Sequence, residues 1–253
     1  MHTVQDFGPG PIMTTSRVLL TGGSGLLGTK LQALMPGAGA PDMDVFDVRD
    51  PAGMEAYLRA HPADVVLHAG AITSPPAVEE DPLPALDTNI IGTANVVALC
   101  VRHGLRLVYI STDYVFSGDD GPYSEEDPVH PVNKYAWSKL GGECAVRLYG
   151  NSLIIRTTFG PDEFPYPKAF VDQWTSREGV SAIAAKIAPL VTGDATGVVH
   201  VGGPRRTVLE YAKSLDPGKD IGEIRRDEVN FPVPRDVSLN LDRYERLMGA
   251  ADD

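Results

Sequence analysis

Short apolar runs alternate with stretches of helical period along most of this chain. Arg17-Val18-Leu19-Leu20 reads as a buried strand that runs into the glycine-rich Thr21-Gly22-Gly23-Ser24-Gly25-Leu26-Leu27-Gly28, and Thr29 to Leu34 continues as a helix. A second helical pattern covers Pro51 to Ala60 and is followed by the apolar run Asp64-Val65-Val66-Leu67-His68. A long helix is expected from Leu83 to His103, then a strand from Leu105 to Ile110, a helix around Tyr135, and the strand Ser152-Leu153-Ile154-Ile155-Arg156.

Strands that are apolar throughout, separated by helices, predict a parallel sheet covered on both faces. This is an α/β, Rossmann-type doubly wound arrangement, whose ligands belong at the carboxyl ends of its strands. After Gly160-Pro161 the texture changes to Phe164-Pro165-Tyr166-Pro167, then a helix from Arg177 to Val191, a strand Gly197 to Val201 and a helix from Thr207 to Leu215. The organisation expected is a sheet domain over 16–160 and a small C-terminal substrate-binding lobe over 161–253, partly interleaved with the sheet. Residues 1–15, with Gly8-Pro9-Gly10-Pro11, read as an irregular N-terminal arm.

Composition narrows the function classes. No run approaches the roughly 18 consecutive apolar residues of a membrane span, and Met1 to Thr15 lacks a basic segment followed by an apolar one. A soluble protein without a membrane partner is expected. The formal net charge of −12 repels a phosphate backbone and no basic patch offsets it, which argues against nucleic acid. Cys100 and Cys144 both fall in predicted helices without metal-ligand spacing, so neither a disulfide framework nor a metal site is expected, and a reducing cytoplasm fits.

The glycine turn follows a strand and opens a helix in the first unit of the chain. There Gly22, Gly25 and Gly28 allow a tight turn, close approach to a pyrophosphate and close helix-to-strand contact, while the helix N-terminus offers free N–H groups. An ordinary glycine-rich loop is the alternative, and the strand-turn-helix context favours dinucleotide binding. The chain from Ala40 to Asp50 should pass the adenosine end, with Asp42 at the spacing from Gly22 where an acid often holds the ribose 2′-hydroxyl. Between Leu31 and Val48 there is no lysine or arginine, so a 2′-phosphate would meet Asp42 and Asp44 unneutralised, and NAD(H) is expected over NADP(H).

Tyr135-Ala136-Trp137-Ser138-Lys139 places a phenol and an ammonium four residues apart, on one face of a helix. Lys139 is expected to favour the ionised form of Tyr135 and make it a usable acid near neutral pH. An exposed helix pair is the bland alternative.

Taken as an ordered set, these segments resemble the extended short-chain dehydrogenases/reductases, and within them the dTDP-4-dehydrorhamnose reductases and their sugar-nucleotide-binding relatives. The segments are Thr21-Gly22-x-x-Gly25-x-x-Gly28, Thr88 to Asn95, Ser111-Thr112-Asp113-Tyr114-Val115-Phe116, Gly121-Pro122-Tyr123, Asn133 to Leu140 and Arg156-Thr157, with a weak resumption at Pro234 to Leu239. The resemblance implies Thr112, Tyr135 and Lys139 as the catalytic triad. Thr112 would hydrogen-bond a substrate carbonyl, Tyr135 would donate a proton, and Lys139 would contact the cofactor ribose. It implies a cofactor path along Gly22, Ser24, Gly25, Leu26, Leu27 and Gly28, then Asp42, Asp47 and Val48, then Ala69, Gly70, Ala71 and Asn89, ending at Tyr135 and Lys139. On the substrate side it implies Thr73, Thr112, Asp113 and Tyr114. Sugar-nucleotide dehydratases tend to carry Asp-Glu after the threonine, and Asp113-Tyr114 here points to simple ketone reduction. Lys168, Gln173, Trp174 and Arg235 could grip a diphosphate or a base, or be lobe surface.

Two departures accompany the resemblance. Pro76-Ala77 stands where rhamnose-pathway reductases carry Asp-Lys, and the stretch after Gly160 is short. An epimerase that retains its NAD, and a non-catalytic NAD(P)-binding regulatory subunit like the accessory subunit of methionine adenosyltransferase, therefore stay open. Leu83 to His103 and Val132 to Arg147 could supply a homodimer face, or their apolar stripes could be satisfied by the sheet.

Overall fold

The structure is a computed structural model that describes residues 17–249; the expected N-terminal arm over 1–15 lies outside the described residues. Five parallel strands form the central sheet in the order β1 (Val18–Thr21), β2 (Val65–His68), β3 (Arg106–Thr112), β4 (Ser152–Thr157) and β5 (Gly197–Val201). From β1 the chain first crosses to the outer edge, where Gly39 exchanges hydrogen bonds with Val18 and Leu20. It then returns to β2 on the other side. This reversal at β1 is the switch point of a doubly wound sheet, with the strand between helices α1 (Leu26–Leu34) and α2 (Pro51–Ala60) reduced to a single bridge.

Alternate strand residues feed two cores. Val18, Leu20, Leu67, Val108, Ile110 and Leu153 pack against α1 through Leu27 and Leu31, and against α6 (Val180–Thr192) through Ile183, Ala184, Ile187 and Leu190. Leu19, Val66, Leu107 and Ile154 face the other way, onto Met54 and Leu58 of α2 and Val96, Leu99 and Cys100 of α4 (Leu83–His103). Both faces are covered, which is why the strands carry no polar alternation. By length and hydropathy α4 could cross a membrane; Val96, Leu99 and Cys100 pack on the sheet, while Leu83, Leu86, Ile91 and Val101 are exposed.

The structure adds elements to those expected. Helix α3 (Pro75–Glu80) starts at Pro75-Pro76, and Ser74 accepts from the Ala77 N–H as its cap. Within α4 the segment Leu86–Gly92 widens to a π-helix, a device frequent at functional sites, and the extra residue turns Asn89 inward. Helix α5 (Lys134–Val146) is capped by Asn133, whose side chain accepts from the Ala136 N–H at 2.9 Å. Helix α8 (Asp242–Gly249), absent from the sequence reading, packs Tyr244, Leu247 and Met248 on the first core.

Residues after 160 divide between two tasks. α6, β5 and α8 complete the sheet layer, while a lobe of three two-stranded ladders forms around α7 (Val208–Leu215). The ladders join Phe159–Gly160 to Glu178–Gly179, Lys168–Phe170 to Gly222–Ile224, and Trp174–Thr175 to Arg206–Thr207. A small core of Phe164, Ala169, Val208, Leu209, Tyr211 and Ile221 holds this lobe over the carboxyl ends of the strands.

Candidate active site

A cleft of about 620 Å³ runs across the strand ends from Pro41, Met43 and Arg49 to Tyr166, Arg177 and Tyr211. Its floor is the glycine turn. Gly22 has φ of 73°, and a Cβ there would stand 2.6 Å from the Gly70 nitrogen; one at Gly28 would stand 2.1 Å from the Gly22 carbonyl oxygen. Any side chain at either position would fill the turn. Helix α1 begins at Gly25 without a side-chain cap, so its first N–H groups are left for a ligand, and Ser24, Leu26 and Leu27 line the same wall. The residues present fit the pyrophosphate of a dinucleotide.

Ala69, Gly70, Ala71 and Thr73 form the facing wall. The wall is held from behind. The Gly70 N–H donates to Thr21 Oγ1 at 3.2 Å, and His68 lies between Thr21 Oγ1 and Thr93 Oγ1, at 2.7 and 3.0 Å. Burial, reinforced by the charge of Lys139, lowers the His68 pKa to about 3 and keeps it neutral. Asn89 stands behind the wall: its Oδ1 accepts from the Ile72 N–H at 2.8 Å, and its Nδ2 donates to the Ile72 carbonyl and to Ser138 Oγ, at 2.9 and 2.8 Å. It thereby ties the wall to α5.

At the adenosine end the cleft is lined by Phe46, Asp47, Val48 and Arg49. Asp42 is exposed and lies outside the lining, because its carbonyl closes the turn with the N–H groups of Val45 and Phe46. Arg49, just past the stretch free of basic residues, enters the cleft instead. Its guanidinium takes both Asp47 oxygens at 2.7–3.0 Å, and that hydrogen bonding holds the Asp47 pKa below its usual range.

Thr112, Tyr135 and Lys139 meet at the opposite end. Strand β3 ends at Thr112, whose hydroxyl donates to Asp113 Oδ1 at 3.1 Å and accepts from the Tyr114 N–H at 3.2 Å. Lys139 is buried, with Nζ 4.2 Å from the centroid of the Tyr109 ring. Removal from water dominates these groups. It pushes the Tyr135 phenol above its ordinary pKa, with hydrogen bonding to Thr112 and the charge of Arg177 opposing, and it lowers Lys139 to about 7, with Glu143 opposing. Burial thus moves the Tyr135 phenol up, opposite to the depression by Lys139 that the spacing predicts, and the cation opposing that rise is Arg177. Burial likewise raises Asp113 to about 6, and its Oδ2 has no hydrogen-bond partner among the described residues.

Of the substrate-side candidates, Thr73, Asp113 and Tyr114 line the cleft, and Gln173 donates to the Tyr114 hydroxyl at 3.1 Å from behind it. Lys168, Trp174 and Arg235 lie elsewhere. Lys168 is exposed on an outer ladder, Trp174 lies under the Arg205 guanidinium at 4.0 Å, and Arg235 lines a separate surface hollow and donates to the Asp119 carbonyl. In their place the chain just past β4 brings Thr158 and the lobe brings Tyr166, Arg177 and Tyr211. Only the ladder between Phe159–Gly160 and Glu178–Gly179, two residues long on each side, marks Arg177 as a cleft residue. No periodicity announces so short a pairing.

Residues 16–200 match the family described as the RmlD substrate binding domain. The chain belongs to this family. Among curated relatives, the dTDP-4-dehydrorhamnose reductase of Mycobacterium tuberculosis is 35% identical over 57% of this chain and 50% of its own length, so the chain spans about half of that relative. The dTDP-4-keto-6-deoxy-D-glucose reductase of Streptomyces niveus is 30% identical over 88% of this chain and 84% of its own, and methionine adenosyltransferase 2 subunit beta of Rattus norvegicus is 30% identical over 91% and 82%. Among solved structures, the hypothetical dTDP-4-dehydrorhamnose reductase of Sulfolobus tokodaii superposes with a TM-score of 0.80 at 28% identity, covering 91% of this chain and 94% of that one. In this chain the glycine cradle and the Thr-Tyr-Lys group line one cleft.

Proposed function

We propose that this RmlD-family protein is an NAD(P)H-dependent reductase of a 4-keto sugar nucleotide. The observation that carries the reading is the meeting of Thr112, Tyr135 and Lys139 in a cleft whose other half is a cradle of glycine backbone. Gly22, Gly25, Gly28 and the first turn of α1 would hold the dinucleotide pyrophosphate. When bound, the dinucleotide supplies a hydride for the carbonyl carbon.

The chain's own residues manage the oxygen. Thr112 turns its hydroxyl from Asp113 to the carbonyl and fixes it near Tyr135. A phenol raised by burial is fully protonated at neutral pH, so Tyr135 holds the proton that the developing alkoxide takes. Lys139, charged for part of the time near neutrality, stabilises the phenolate left behind. Tyr114, in place of a dehydratase glutamate, leaves no second carboxylate beside Asp113 for removing water. At the adenosine end Asp47 already neutralises Arg49, which supports NAD(H) over NADP(H).

Incubation with NADH and a dTDP-4-keto-6-deoxy sugar should consume NADH in proportion to the ketone reduced. Absence of turnover with any keto sugar nucleotide would sink the proposal.

A second reading is a dinucleotide-binding regulatory subunit, favoured by the similarity to the rat subunit over nine-tenths of the chain (91%). Recovery of a stoichiometric enzyme partner from a pull-down, with no turnover, would select it.

A further inference from the structure

Arg177 is the cleft's uncommitted cation. Among the described residues its guanidinium forms no ion pair and no hydrogen bond, and its Nε is shielded from water without a partner. The other basic residues of the lining are engaged, Arg49 by Asp47 and Lys139 above the ring of Tyr109. Of the acids nearby, Asp113 feels the charge of Arg177 without a hydrogen bond to it, and the two flanking Arg177 on the lobe are engaged elsewhere. Glu178 takes Arg206 at 2.9 Å, and Asp162 takes Ser181 and Lys30 at 2.6 and 3.0 Å. The position of Arg177 is meanwhile fixed: its N–H donates to Thr175 Oγ1 at 3.1 Å and its carbonyl accepts from Arg206 Nη2 at 3.0 Å.

A partly buried guanidinium left unpaired on a pinned backbone costs stability, and a ligand can recover that cost. The space for one is the cleft itself, which Arg177, Tyr211 and Gly160 line together. Gly160 packs closely beneath the other two, where a Cβ would stand 3.1 Å from the Tyr211 hydroxyl and 3.9 Å from Arg177 Cδ. The charge of Arg177 acts on Asp113, Tyr114, Tyr135 and Tyr211 alike, which puts it beside the reacting end of the cleft and far from the adenosine end.

We propose that Arg177, with Tyr211 beside it in the cleft wall, forms a subsite for an oxyanion of the substrate and so selects substrates that carry negative charge near the reducible carbonyl. The proposal rests on reading the cleft as the substrate pocket. Two sources share this chemistry, the diphosphate of a nucleotide sugar and a carboxylate on the sugar itself.

The test titrates the full chain, its dinucleotide site first saturated with NAD+ so that the glycine turn is blocked, with inorganic pyrophosphate, dTDP and D-glucuronate by calorimetry. Arg177→Gln should weaken the recognised anion about tenfold, the loss expected for one charged hydrogen bond, with NAD+ affinity unchanged, and Arg177→Lys should recover part of it. A loss confined to pyrophosphate and dTDP assigns the diphosphate; a loss confined to glucuronate assigns a sugar carboxylate. If all three anions bind the wild type and Arg177→Gln equally, or none binds the wild type, the subsite is refuted. Reductase activity is a separate readout. An Arg177-dependent anion with no ketone turnover leaves the subsite standing and removes the reductase, whereas turnover with an unchanged KM in Arg177→Gln does the reverse.

Discussion

Arg156 holds Glu143 by two hydrogen bonds, Nε to Oε1 at 3.0 Å and Nη2 to Oε2 at 2.9 Å, with neither side chain exposed. Glu143 lies one helical turn beyond Lys139 on α5 and also accepts the Ser111 hydroxyl at 2.6 Å, so the pair joins β3, β4 and α5 directly behind the reacting groups. Its net charge is zero, yet its carboxylate end is nearer the lysine and works against the desolvation of Lys139.

Breaking this pair from one side strands a buried charge. Glu143→Gln should therefore destabilise the fold by about 3–5 kcal/mol, read as a lower urea midpoint with an unchanged m-value. Glu143→Leu combined with Arg156→Met removes both charges and should cost clearly less than the single change. Equal losses would mean that packing, not charge, sets the cost.

Tyr135→Phe removes one oxygen from the cleft and leaves the glycine cradle untouched. Turnover should fall by about 10²–10⁴-fold, the range of general-acid contributions, while the dinucleotide dissociation constant stays within about twofold, an effect below ~0.4 kcal/mol. Retained turnover would transfer the proton to another group, with Asp113 first in line.

Much of this arrangement was legible in the sequence. The apolar runs located all five sheet strands because a strand buried on both faces cannot disguise itself with polar alternation. The glycine turn was legible because Gly22 and Gly28 answer to steric limits that only glycine meets. The adenosine end was legible in part: Asp47 and Val48 line the cleft as the resemblance implies, while Asp42, at the expected spacing, is left outside by the turn its carbonyl closes with Val45 and Phe46. Lys168, Trp174 and Arg235 were misassigned for a related reason. Lobe residues reach the cleft through two-residue ladders, whose pairing depends on tertiary packing more than on local pattern. Electrostatic direction was the last gap: spacing predicts that Lys139 and Tyr135 share the cleft, as they do, but burial determines which way each group shifts.

The two buried groups of the reacting end give opposite pH signatures. Lys139 falls from 10.5 to about 7, so between these values the unfolded chain holds a proton that the folded chain has released, and stability rises with pH through that window. Asp113 rises from 3.8 to about 6; here the folded chain keeps the proton, and this group's contribution to stability falls as pH rises from 3.8 to 6. Urea midpoints should show the rise above pH 7 flattened in Lys139→Met. Between pH 4 and 6 the buried neutral His68 makes stability rise with pH and Asp113 opposes it, so Asp113→Asn should steepen the rise. An upper slope unaltered by Lys139→Met would mean that the lysine keeps its ordinary pKa.

Gly22 adopts φ of 73°, and a Cβ there would stand 2.6 Å from the Gly70 nitrogen. Gly22→Ala should therefore lose on two counts. The left-handed backbone costs about 1–2 kcal/mol for a residue with a Cβ, and the displaced turn no longer presents its N–H groups. Dinucleotide affinity should drop below detection in a thermal-shift titration, with the fold retained by far-UV circular dichroism.

Cofactor choice should depend on the Asp47–Arg49 pair. In the wild type a 2′-phosphate approaching Arg49 must compete with a carboxylate already bound to it through both oxygens, so kcat/KM should favour NADH over NADPH. Asp47→Ala frees the guanidinium at the mouth of the cleft. It should weaken NADH, which loses a contact, and strengthen NADPH, which gains a charged hydrogen bond worth about 1.5–3 kcal/mol before solvent screening. The ratio of the two kcat/KM values should move at least about tenfold toward NADPH, as expected for 1.4 kcal/mol, and Asp47→Ala with Arg49→Ala should abolish that shift. A wild type that already prefers NADPH would overturn the neutralisation argument, because the 2′-phosphate would then be displacing Asp47 from Arg49 unaided.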